Sequence, residues 1–132
     1  MDAGKVPLQG VGPSGVGPGG SSGASTSWTN FASTALEASR VVKASSGTLR
    51  DVYVYQASGS LLYLQLFNAA ALPANGTVPS FTPIPVPTGS MAFIDFGTDG
   101  IILSTGIVAA LSTTAATLTV AGAVGFFSGR FA

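Results

Sequence analysis

From Trp28 onward, short runs of apolar and β-branched residues alternate with polar ones, and turn-forming residues interrupt them roughly every eight to twelve positions. A period of two puts successive side chains on opposite faces of a strand, so this rhythm commits the chain to an all-β fold. About seven or eight short strands are expected. The first spans residues 38–45. The second, 48–57, follows the Ser46-Gly47 turn and carries Leu49, Tyr53 and Tyr55 on one face and Val52 and Val54 on the other. Ser58-Gly59 reads as a hairpin signal leading into residues 60–68. There Leu62, Leu64 and Leu66 alternate with Leu61, Tyr63, Gln65 and Phe67, so both faces are apolar and the strand belongs at the centre of the fold.

Beyond a loop over residues 72–79, Pro83, Pro85 and Pro87 stand at alternate positions around Ile84 and Val86. Proline cannot donate to a sheet ladder, so a strand here has to lie at an edge. Further strands are expected over 91–96, over 101–111 with an interruption near Gly106, and as a final pair over 115–120 and 124–131. A single antiparallel β-sandwich or jelly-roll domain over residues 28–132 accommodates them.

Residues 1–27 differ in kind. Eight glycines between Gly4 and Gly23, with Pro7, Pro13 and Pro18, leave too little apolar surface to offset the entropy of ordering, so a flexible or extended arm is expected. Fully stretched, it reaches about 90 Å at roughly 3.3 to 3.6 Å per residue. Such an arm suits a chain that drapes over its neighbours. It lacks the basic stretch and apolar run of a secretory leader.

The chemistry available to the chain is narrow. It contains no histidine and no cysteine, and its five basic and five acidic residues cancel to zero net charge. Charged residues make up 8% of the chain, with none from residue 52 to 94 or from 100 to 129. Free surfaces are usually richer in charge, whereas the centres of protein interfaces are depleted of it, so an oligomer or a subunit of a larger assembly is expected. Five scattered basic residues do not make a nucleic-acid surface. The uncharged run over 100–127 is broken by Ser, Thr and Gly and has no flanking basic cluster, so strands are expected there and not a membrane span.

Possible chemical motifs reduce to turns. Asp95-Phe96-Gly97 shares letters with a kinase tripeptide but has none of its context. Asp95 and Asp99 lack the further oxygen ligands of a calcium loop. Asn75-Gly76-Thr77 has the form of a glycosylation sequon and reads as a tight turn. The Gly-Val-Gly repeats of the arm follow no strand and open no helix, which argues against phosphate binding. No catalytic, cofactor or metal residue is assigned. Tyr53, Tyr55, Tyr63 and Phe67 are expected in the core, with a sugar- or base-stacking platform as the alternative.

Several successions together carry a resemblance: Ser46-Gly47-Thr48-Leu49-Arg50-Asp51-Val52-Tyr53-Val54-Tyr55, Leu62-Tyr63-Leu64-Gln65-Leu66-Phe67-Asn68, Pro73-Ala74-Asn75-Gly76-Thr77-Val78-Pro79, Ile84-Pro85-Val86-Pro87 and Gly100-Ile101-Ile102-Leu103-Ser104-Thr105-Gly106-Ile107. The chain over 38–131 resembles the small β-sandwich structural proteins of tailed bacteriophage virions, most of all head decoration or cement proteins. The resemblance implies a non-enzymatic protein made in the host cytoplasm and carried on the capsid exterior. Its implied partners are the major capsid protein and further copies of itself, as a homotrimer, with no cofactor, nucleic acid or membrane. A tail, neck or fibre component and a carbohydrate-binding module are the alternatives. Val6, Pro7, Leu8, Val11, Val16, Trp28 and Phe31, the apolar residues of the arm and its root, are the candidate assembly contacts.

Overall fold

The computed structural model describes residues 27–132, which form nine strands and no helix. These are β1 (Thr29–Ala32), β2 (Ser39–Lys43), β3 (Gly47–Gln56), β4 (Leu62–Phe67), β5 (Ile84–Val86), β6 (Met91–Asp95), β7 (Ile101–Leu103), β8 (Ile107–Ser112) and β9 (Gly125–Phe131). Two antiparallel sheets make a β-sandwich, as the alternation requires. Sheet 1 runs β1-β9-β3-β6, with β7 beside the first residues of β3, and sheet 2 runs β2-β8-β4-β5. Phe31, Leu49, Val52, Val54 and Phe127 from sheet 1 meet Leu62, Leu64, Leu66, Val86, Ile107 and Leu111 from sheet 2, all nearly inaccessible to solvent.

β5 pairs only with β4, so the prolines stand on an edge as expected. β4 is central, between β8 and β5, and buried on both faces. Its outer cover is the segment after β8. The structure forms no strand over 115–120, only a bridge between Ser112 and Val120. Side-chain hydroxyls compete with a ladder here. Ser112 Oγ donates to Thr114 O at 2.7 Å, Thr114 Oγ1 donates to Thr117 O at 2.6 Å, and the Gln65 amide nitrogen donates to Thr114 O and Ala115 O at 2.9 Å each. The coil thus formed drives Leu118 onto Phe67, Val108 and Ala110. Leu118→Ala is expected to cost about 2 to 3 kcal/mol in urea unfolding, the lower part of the range for a buried leucine because this cluster is small.

Three other expectations are corrected. Ser58-Gly59 does not close a hairpin, since β3 and β4 lie in different sheets. Fully buried Gln56 makes the corner: its amide nitrogen donates to Ser60 O at 2.7 Å and Val86 O at 3.0 Å, and its carbonyl accepts from Ser58 N at 2.8 Å. Residues 101–111 are two strands that change sheets at Ser104–Gly106. Asn68 fixes that switch by accepting from Thr105 N at 2.8 Å, and a side chain at Gly106 would collide with the backbone of Ala69 and Ala70. Leu49 faces the core and not the tyrosine face, because a bulge between Leu49 and Asp51 inserts a residue and reverses the alternation. β1, unanticipated, adds to the outer side of β9.

Candidate assembly surface

Sheet 2 is covered on its outer side by the Leu118 coil, whereas the outer face of sheet 1 lies open. β3 places Tyr53 and Tyr55 there, because Val52, Val54 and Gln56 take the inward positions. Their register fixes the neighbours: Tyr53 stands opposite Phe93 on β6 and Ser128 on β9, and Tyr55 opposite Met91 and Phe126. The five large side chains form two adjacent rows, each 37% to 61% exposed. The Tyr53 and Phe93 rings stack with centroids 4.2 Å apart and planes 22° from parallel, and those of Tyr55 and Phe126 lie 6.5 Å apart at 24°.

A charged belt borders the aromatic rows. Asp51 and Asp95 are directly opposed across β3 and β6, an arrangement that like charges make unfavourable unless each is neutralised. Each has its own arginine. Arg130 Nε donates to Asp51 Oδ2 at 3.0 Å and its Nη2 donates to the same oxygen, while Arg50 pairs with Asp95. Asp51 is 1% exposed and its Oδ1 has no partner. On the other side of β3, β6 pairs with residues 51–55 and β7 with 47–49, and Phe96 N donates to Arg50 O at 2.9 Å across the gap between them. Beyond the belt, Ile102 is 79% exposed, and the Trp28 ring closes over Gly100. An open recess of about 340 Å³ lies where belt and aromatic rows meet, lined by Asn30, Phe31, Asp51, Tyr53, Ser128, Gly129 and Arg130.

The Asp95 carboxyl is held below its ordinary value of 3.8, chiefly by the Gly97 N–H, which donates to Oδ1 at 2.8 Å. Burial opposes the shift and the Arg50 guanidinium adds to it. A carboxyl that is more acidic in the folded state stabilises the fold above its unfolded pKa, and that stability is lost as pH falls through the lower folded value. Asp95→Asn is therefore expected to flatten the acid limb of a plot of urea midpoint against pH below about pH 4. An unchanged limb would assign the acid sensitivity elsewhere. Arg130 is shifted the other way, upward, first by its hydrogen bond to Asp51 and then by that group's charge.

The structure separates the residues singled out from sequence. Tyr53 and Tyr55 are exposed, correcting their expected place in the core; Phe67 is buried and Tyr63 half-buried. Phe31 is also buried, its ring centroid 6.1 Å from that of Phe131, and Trp28 is half-buried. Val6, Pro7, Leu8, Val11 and Val16 lie outside the described residues. Met91, Phe93 and Phe126 complete the face without having been singled out, although the alternation of 91 and 93 within an uncharged stretch was a usable signal. Asp95 to Gly100 is a turn with positive φ at Gly97 and Gly100. Asn75-Gly76-Thr77 is a turn too: Gly76 has a φ of 95°, and Thr77 Oγ1 donates to Ala74 O at 2.7 Å. Among the described residues no cluster of acidic side chains has the makings of a metal site, and no helix is long and apolar enough to cross a membrane. No known protein family, curated protein or solved structure matches the chain.

Proposed function

We propose that this chain is a non-enzymatic structural protein of a tailed-bacteriophage virion, a decoration or cement protein that binds the outer capsid surface and bridges capsid subunits. One observation carries the reading most of the way to assembly: five large apolar side chains form a continuous open face whose bordering charges are already neutralised. Such a face gains free energy when covered by another protein surface, and it offers no net charge to attract nucleic acid. The step from assembly to the capsid rests on the resemblance in strand and turn residues. A protein that binds only the assembled shell stabilises it in proportion to occupancy and affinity.

Binding to capsids stripped of decoration tests this. Co-sedimentation is expected to saturate at a fixed number of copies per capsid and to raise the temperature at which the shells break. Failure to bind, or antibody labelling confined to the tail of intact particles, would move the protein to the tail, neck or fibre alternative.

The exposed tyrosines also favour the carbohydrate-binding alternative. A pyranose, however, needs an open ring face, and Tyr53 and Phe93 have each turned one face to the other. Saturable, sugar-specific signals on a glycan array, lost on Tyr53→Ala with Tyr55→Ala, would reverse the order of the two readings.

A further inference from the structure

We infer that the aromatic face of sheet 1 is the seat for residues 6–16 of the N-terminal arm of a neighbouring copy, so that the arms are exchanged between subunits. This rests on the assembly reading above and names the occupant of its surface. Chemistry and position argue for that occupant, and reach permits it.

Chemistry comes first. Residues 6–27 carry no charge, and the apolar side chains among them, Val6, Leu8, Val11 and Val16, are interspersed with Pro7, Pro13 and Pro18. Proline-containing extended segments dock on aromatic-lined surfaces because they bring flat apolar rings and little entropy to lose. The face is likewise neutral, since the charges of Arg130 and Arg50 offset those of Asp51 and Asp95. Neutral meets neutral, with no charge stranded on either side.

Position comes second. The arm joins β1 at Thr29, which pairs with Phe131, and Trp28 packs on Gly100 beside Thr48. That is the end of sheet 1 remote from Tyr55 and Phe126, and β1 runs toward the aromatic rows, so the chain enters the sheet from the end opposite them. Covering its own face would require the arm to reverse and cross the charged belt. A neighbour's arm faces no such reversal.

Reach comes third. From residue 28 back to residue 16 the chain spans up to about 40 Å. The sheet from the Phe131 row to the Phe126 row is only about 17 Å long. Where each copy gives its arm to the next and not back to its donor, the contact is head-to-tail, and such contacts close into rings when the rotation allows, as in a trimer.

Because the chain has no cysteine, Ser14→Cys takes a single nitroxide. Unlabelled copies bearing it are mixed in equal amounts with isotope-labelled, nitroxide-free copies, diluted to dissociate, and reconcentrated. The Met91 methyl and the Tyr53 and Tyr55 ring signals are expected to lose close to half their intensity, because half of the neighbours carry the nitroxide, while the Val41 methyls on β2 keep theirs. Reducing the nitroxide, or introducing Phe93→Ser, restores the signals. Undiminished signals, loss only when nitroxide and isotope share one chain, or a monomeric mass at all concentrations would overturn arm exchange. No capsid is present, so a failure here is distinct from a failure to bind shells.

Discussion

Phe127→Ala is expected to remove about 3 to 5 kcal/mol of unfolding free energy, whereas Phe126→Ala, one residue away, is expected to remove less than about 1 kcal/mol. Phe127 lies opposite Val54 in β9 and points between the sheets, fully buried in the main core. Truncating it leaves a cavity that the flanking strands of sheet 1 cannot collapse to fill. Phe126 points outward beside Tyr55 and leaves mostly surface behind. With domain stabilities on the order of 5 to 15 kcal/mol, the first substitution consumes a large part of the total. Urea titrations of the two variants read the contrast directly; a reversed order of costs would mean that the strand is turned the other way, and equal costs would mean that neither ring is the buried one.

The opposite outcome is expected for function. Tyr53→Ser, Phe93→Ser and Phe126→Ser combined should weaken capsid binding by at least about 100-fold, equivalent to about 2.7 kcal/mol, because clustered aromatic anchors carry most of the energy that seats the neighbour's arm and so holds the copies together. Loss of arm exchange would also dissolve the ring and, with it, the avidity of several domains bound together. Melting should remain a single cooperative transition, since all three side chains are outside the core. Val41→Ser, on the exposed side of β2, is the matched control and should leave binding unchanged. If the triple variant binds shells as the parent does, the aromatic face plays no part in capsid binding.

Strands over 39–43, 47–56, 62–67 and 91–95 were legible because apolar alternation and turn residues agreed there. The edge position of β5 followed from its prolines alone. What escaped were features that depend on distant partners. The inward turn of Leu49 comes from a bulge that only pairing with β9 defines. The missing strand over 115–120 comes from hydroxyl and amide groups that capture the backbone once β4 lies beneath them. β1 is too short to show a period of its own. The aromatic face was misread because a tyrosine that alternates with valine looks the same from either side; burial of Val52, Val54 and Gln56 decides the matter, and it is settled by sheet 2, which no local pattern contains.

β9 lies inside sheet 1, between β1 and β3, although it is the last strand described. The earliest and latest strands therefore meet, and any nascent chain that stops before residue 125 lacks the piece that joins β1 to the rest of its sheet. During synthesis, sheet 2 has all its strands by Ser112, while sheet 1 must wait. Four of the five side chains of the aromatic face, on β3 and β6, are made by Asp95, but Phe126 and the strand that braces Tyr53 and Tyr55 from the other side arrive only with β9. The order of strands thus makes the aromatic face a surface begun early and closed late, its last side chain and its second flanking strand supplied together by β9.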